Sequence, residues 1–327
     1  MLDFMENCEF DPALAIYDDH YQNSQAYSNH FSNHMKNVLG NLKKRFPAGT
    51  SVVEVGCGKG DFIGLLEEGR HFVATGYDAT YEGDNPRIHK RYLSDSDRMK
   101  AGVVVARHVL EHIPQPHLFL RDLRNIFGAA KICIEVPNLD WILTNEAFFD
   151  ITYEHVNYFS RAALAKLFSN RQVEAGLGFG GQYQYLIAGL GDLSDAFAAA
   201  YNSDRWDPVG FYELFPFLPE KINKIHKLLA GNRRAYIRGA ATKGCMFLAH
   251  CAKLKKVVDQ VEFCIDINPN KYGRFLPGSL VPIKSKAEFF RSASEQDLLL
   301  VSNPNYLPEI LDEIKATRLK TIEVACL

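Results

Sequence analysis

The run Tyr153-Glu154-His155-Val156-Asn157-Tyr158-Phe159-Ser160 sets one imidazole among two phenols and a carboxylate. A neutral imidazole accepts protons near neutrality, because its reference pKa is about 6.5. A nearby tyrosine hydroxyl can donate to an oxygen that gains charge as the proton leaves. Tyr153 and His155 are two apart, so an extended segment would point them the same way. Tyr158 would share the face of His155 if the segment were helical. Glu154 is adjacent and is better placed to bind a substrate hydroxyl or tune charge than to orient His155. The plain alternative is a lid packed by aromatics, with His155 structural.

A second cluster lies in VVEVGCGKGDF (52–62), which carries Glu54, Gly56, Gly58 and Gly60. Glycines between a strand and a helix accept positive φ and let a ligand approach the backbone closely. Asp78 ends the next strand, where a carboxylate can accept both hydroxyls of a ribose. The ExGxGxG spacing departs from the GxGxxG of dinucleotide sites and disfavours a nicotinamide enzyme. The bland reading is a tight strand–helix corner. Further on, GAATKG (239–244) is no P-loop, since no Lys-Ser/Thr pair follows its second glycine. With Lys243 it could still take a phosphate at a helix start, or be a simple corner. His30 and His34 are four apart but have no evident third ligand, so no metal site is expected.

The elements that must position these groups follow from apolar patterning. The chain has 327 residues, 47% of them hydrophobic and 23% charged, which excludes disorder as its main state. No apolar stretch approaches the roughly 20 residues of a membrane span. The N-terminus shows no secretory signal, and a net charge of −2 gives no footprint for nucleic acid or acidic lipid. The seven cysteines are odd in number and form no CxxC pair, so a disulfide framework or thiolate zinc site is not expected and a reducing cytoplasm fits. Residues 1–48 read as helical. From Ser51 short apolar strands alternate with amphipathic helices, which predicts a parallel sheet covered on both faces. The run FGGQYQYLIAGLG reads as two edge strands. A helical linker is expected over 191–229, and a second strand–turn–helix series over 230–327.

ExGxGxG with Asp78 resembles motifs I and II of class I S-adenosylmethionine-dependent methyltransferases, and VVVARHVLEHI (103–113) strengthens the likeness. The resemblance implies a Rossmann-like α/β domain over 49–190 followed by a smaller Rossmann-like α/β domain. It implies S-adenosylmethionine as cofactor, with Glu54, Gly56, Gly58 and Gly60 along it, Asp78 on the ribose and Ala79 beside the adenine. Arg107 and His108 would face the methionine end. His108 read alone could also be a satisfied strand-end histidine. Tyr21, Gln25 and Tyr27 could close over the cofactor or face the core.

Three further segments resemble the nucleotide-sugar C-methyltransferases: YQNSQAYSNHF (21–31), IEVPNLDWILTNEAFFDITYEHVNYFS (134–160), and IRGAATKGCMFLAHC with FCIDINPNKYGRFLPGSLVPI (237–283). That likeness implies Glu154 and His155 at the catalytic base, with Tyr153 and Tyr158 as helpers. It also implies a C-terminal domain that helps hold a nucleotide-sugar through Lys243, Asp266, Asn268 and Lys271. Members often read YHEH where this chain has Thr152-Tyr153-Glu154-His155. They often begin with a cysteine-rich zinc module, whereas only Cys8 precedes Cys57 here. The expected reaction is C-methylation of a nucleotide-diphosphate ketosugar through an enolate. The rivals are O- or N-methylation of another small molecule, and a module that binds the cofactor without turnover.

Overall fold

The computed structural model describes residues 4–14, 28–169, 173–194, 207–231, 233–254 and 257–327. The expectations for Tyr21, Gln25 and Tyr27 lie outside those residues. The chain divides into two units. The first comprises Met1–Tyr21, Phe31–Ile142 and Tyr153–Pro208, and the second Gln22–His30, Leu143–Thr152 and Val209–Leu327. The second unit thus takes a segment from the middle of the expected first domain. Two contacts tie that segment in: Phe148 packs edge-on against His250, and Asp150 pairs with Lys243.

Valine-rich runs build the first unit's sheet. Its strands are β2 (Thr50–Val55), β3 (Phe72–Tyr77), β4 (Ile88–His89), β5 (Val103–Arg107), β6 (Lys131–Pro137), β8 (Glu174–Gly178) and β9 (Tyr183–Gly189). They lie in the order β4-β3-β2-β5-β6-β9-β8. The first five are parallel, and β9 and β8 run antiparallel to their neighbours. Val103, Val104, Val105 and Ala106 are wholly buried, as a central strand covered on both faces requires. β2 pairs with β3 on one side and β5 on the other. The strand order therefore switches direction between β2 and β5, and such a switch opens a crevice beyond the strands' carboxyl ends.

Residues 1–48 are not all helical. Phe4–Glu6 forms β1, which pairs antiparallel with β7 (Asn157–Phe159), and helix α1 spans Asn29–Arg45. The Phe4 and Phe159 rings lie 5.1 Å apart, a contact that local periodicity does not announce. The run from Phe179 gives one strand, β9, after a short 3-10 turn; its partner β8 precedes that turn.

The second unit carries a five-stranded parallel sheet, β12-β11-β10-β13-β14, made of Ile283–Ser285, Val261–Asp266, Ala235–Arg238, Leu298–Val301 and Glu323–Cys326. Tyr236 packs edge-on against Phe263 and Phe289 at 4.8 and 5.1 Å. No helix among the described residues is long and apolar enough to cross a membrane. Phe289 is 2% exposed, so Phe289→Ala should cost the second unit about 3–5 kcal/mol, read from its urea transition. A loss below about 1 kcal/mol would contradict this packing.

Candidate active site

The loop after β2 is built on left-handed backbone. Gly56, Gly58 and Gly60 have φ of 72°, 55° and 81°, a region that favours glycine. A Cβ on Gly56 would meet Val109 at 2.4 Å, and one on Gly60 would meet Ile88 at 2.5 Å. At Gly58 a Cβ would meet nothing within 4 Å. The loop is closed by Asp78, whose Oδ2 accepts the Gly58 N–H at 2.8 Å. Its Oδ1 accepts the backbone N–H and hydroxyl of Thr80 at 2.8 and 2.7 Å. Oδ2 keeps a further lone pair. Asp78 and Ala79 are half-buried. Glu54 is buried below the bend. Burial pushes its carboxyl up to about 7, with Arg107 opposing and Asp78 adding to the shift.

At the ends of β5 and β6 the interior turns polar. Glu135 is 1% exposed and meets Arg107 at 3.0 Å, His108 at 3.2 Å and His34 of α1 at 3.1 Å. Burial opposes its charge, but Arg107 above all holds Glu135 well below the usual carboxylate range. The Arg107 guanidinium also lies 4.6 Å over the Phe62 ring. Arg107 is thus engaged on Glu135. His108 has φ 53°, strained for a non-glycine residue, with Nδ1 3.4 Å from Glu111. Burial disfavours its charge, yet Glu111 and Glu135 outweigh that and push it up to about 9.

His155 follows a turn and precedes β7. Its ring lies 4.9 Å from His112 and 5.7 Å from Tyr158. Burial, reinforced by His112, pushes it down to about 3, against the pull of Glu111; the ring is neutral at neutral pH. Tyr158 reaches His155 from a strand rather than a helix. Tyr153 is displaced from its expected place: the segment turns there, the two-residue alternation fails, and the side chain is 42% exposed. Its hydroxyl accepts the Asp11 N–H at 2.9 Å, and its ring lies against Phe10. The Glu154 carbonyl accepts from His112 Nδ1 at 3.0 Å.

Glu111 and His112 were not among the expected site residues. The HVLEHI run contained both, but nothing local tied them to a segment more than forty residues on. A single 3-10 turn, Leu110–His112, presents them, and the Val156 N–H donates to the Glu111 carbonyl at 2.7 Å. Glu111, His112 and His155 each offer a donor atom within 4.8 Å of the others. His30 and His34 do not form a pair: His34 is spent on Glu135, and His30 lies against Tyr306 in the second unit.

In the second unit, Lys243 opens the helix Thr242–Lys253 and lies 4.6 Å over the Phe149 ring, paired with Asp150. Asp266 ends β11, pairs with Lys271 at 3.1 Å and accepts the Asn268 N–H at 2.8 Å. Asn268 Nδ2 is buried without a hydrogen-bond acceptor.

The buried pair on Glu135 can be tested. Arg107→Met should cost about 3–5 kcal/mol in urea unfolding, because the carboxylate is left short of charge, and Arg107→Met/Glu135→Leu should recover part of the loss. A single variant within about 1 kcal/mol of the parent would contradict the role given to this pair.

Residues 27–175 match a family described as a methyltransferase domain, and residues 219–324 one described as a C-methyltransferase C-terminal domain. The C-methyltransferase NovU of Streptomyces niveus is 29% identical over 232 residues, which cover 66% of this chain and 54% of that protein. The chain therefore spans about half the length of this curated relative. The crystal structure of a SAM-dependent methyltransferase from Archaeoglobus fulgidus is 17% identical with a TM-score of 0.37, over 50% of this chain and 100% of that one. The plantazolicin methyltransferase BpumL, solved with SAH, is 14% identical with a TM-score of 0.37, over 50% and 86%. The left-handed glycine bend at the sheet's switch point thus lies within the residues that match a methyltransferase domain, and the C-terminal third matches a C-methyltransferase C-terminal domain.

Proposed function

We propose that the chain is a class I S-adenosylmethionine-dependent methyltransferase that alkylates a carbon beside the ketone of a nucleoside-diphosphate-linked sugar. The observation that carries the reading is His155: a neutral imidazole beside a buried carboxylate and a tyrosine, in a chain whose C-terminal third matches a C-methyltransferase domain. O- or N-methylation would not need a base for a C–H bond.

The residues present fit the cofactor. The backbone at Gly58 is open to close approach, and Asp78 keeps a lone pair for a ribose hydroxyl. Gly56, Gly58 and Gly60 would line the methionyl and ribose portion, with Glu54 below them and Ala79 beside the adenine. The cofactor supplies an electrophilic methyl group on a sulfonium. His108, held cationic between Glu111 and Glu135, sets the charge at the end of β5, and Arg107 acts by holding Glu135. His155 removes the proton next to the substrate ketone, and the C–H pair becomes the nucleophile of the new C–C bond. Glu111, whose pull already opposes the burial of His155, stabilises the imidazolium as it forms. Tyr158 would donate to the developing enolate oxygen. Glu154 would meet a sugar hydroxyl. In the second unit, Lys243, Asp266 and Asn268 would recognise the nucleotide portion, with the unpaired Asn268 amide as donor.

Deuterium wash-in separates this reading from its rivals. In D2O, with S-adenosylhomocysteine bound and no methyl donor, the parent protein should exchange the C–H next to the ketone of a nucleoside-diphosphate ketosugar. His155→Gln should lose that exchange and turnover while binding S-adenosylhomocysteine with unchanged affinity in calorimetry. Full turnover by His155→Gln would overturn the assignment. Asp78→Asn should weaken S-adenosylhomocysteine by about 10- to 100-fold, the worth of charge-assisted hydrogen bonds. An unchanged affinity would remove Asp78 from the cofactor site.

A further inference from the structure

We infer that Thr80 is a positioning residue for the cofactor ribose: it fixes the Asp78 carboxylate so that Asp78 accepts one ribose hydroxyl rather than both. The inference rests on the cofactor site proposed above. It departs from the two-hydroxyl grip that a carboxylate at this strand end can offer.

An ionised carboxylate has about four lone-pair directions, two on each oxygen. The chain itself takes three of those on Asp78. The Thr80 backbone N–H and the Thr80 hydroxyl both donate to Oδ1, at 2.8 and 2.7 Å. The Gly58 N–H donates to Oδ2 at 2.8 Å. The direction left over is on Oδ2, and there is room beside it, because a Cβ on Gly58 would meet nothing within 4 Å. Asp78 is half-buried, so a ligand can reach that oxygen. Oδ1 has no direction left for a second hydroxyl while the Thr80 hydroxyl stays on it.

The main chain is held as well. The Asp78 N–H donates to the His89 carbonyl at 3.1 Å, and the Asp78 carbonyl accepts the Tyr81 N–H at 3.4 Å. The carboxylate therefore meets its ligand already oriented. Ordering a loose side chain at the moment of binding would cost about 2- to 10-fold in affinity. Removing the Thr80 hydroxyl frees one side of Oδ1 and restores that cost.

Calorimetry on the full chain would compare S-adenosylhomocysteine with its 2′-deoxy and 3′-deoxy analogues, in the parent and in Asp78→Asn, Thr80→Val and Thr80→Ser. Binding of S-adenosylhomocysteine by the parent tests the cofactor reading alone. A folded parent that does not bind it would overturn that reading and this inference together. Given binding, the other outcomes bear on Thr80 and the single hydroxyl. The Asp78→Asn loss of about 10- to 100-fold should vanish with one deoxy analogue and persist in full with the other. Thr80→Val should weaken S-adenosylhomocysteine by about 3- to 10-fold. It should change the affinity of the analogue that lacks the Asp78-bound hydroxyl by less than about twofold, because Asp78 then has no ligand to be positioned for. Thr80→Ser, which keeps the hydroxyl, should bind as the parent does. An Asp78→Asn loss reduced by both analogues would restore the two-hydroxyl grip and overturn the inference. A Thr80→Val variant that binds all three ligands equally weakened, or unchanged, would overturn the positioning role.

Discussion

Glu135 is the charge on which the first unit's interior depends. It is buried at the end of a central strand, where an unpaired carboxylate would be costly. Three cationic or donor side chains meet it: Arg107 and His108 from the neighbouring strand end and His34 from α1. That requirement places α1 against the sheet's carboxyl end and holds His108 in a backbone conformation that is strained for its type. His108 then touches Glu111, and Glu111 faces His112 and His155. The site is therefore a chain of compensated charges running outward from one buried carboxylate.

The sheet supplies the other constraint. Because β2 pairs with β3 on one side and β5 on the other, a crevice opens at their carboxyl ends. The glycine bend after β2 and the His108 turn after β5 both lie at those ends. Left-handed backbone at three alternate glycines turns the chain sharply after β2, and the Gly58–Asp78 bond pins the bend to the end of β3. The charged chain and the glycine bend thus come to one end of one sheet for separate physical reasons.

Much of this was legible in the sequence where the signal was local. Gly56, Gly58, Gly60 and Asp78 could be read because positive φ restricts residue type and strand ends limit position. His155 and Tyr158 could be found as a cluster, though the contact comes from a strand. Four features were not legible, all through long-range pairing. Phe4–Glu6 falls in the segment read as helical but pairs with Asn157–Phe159, because strand partners carry no local period. Tyr153 was expected beside His155, and the turn at 153–154 sends it to Asp11 instead. Glu111 looks like an ordinary helix-start acid until a segment more than forty residues away arrives over it. Leu143–Thr152, read as part of the first domain, belongs to the second unit through Asp150 and Phe148.

The claim that the methyl group goes to carbon is tested most directly by the product. A methyl-carbon-13 donor would be supplied with a panel of nucleoside-diphosphate ketosugars, and the labelled products examined by two-dimensional NMR. The account expects the labelled methyl to be bonded to a sugar ring carbon next to the former ketone, shown by one-bond carbon–carbon coupling. A labelled methyl attached to oxygen or nitrogen would contradict it.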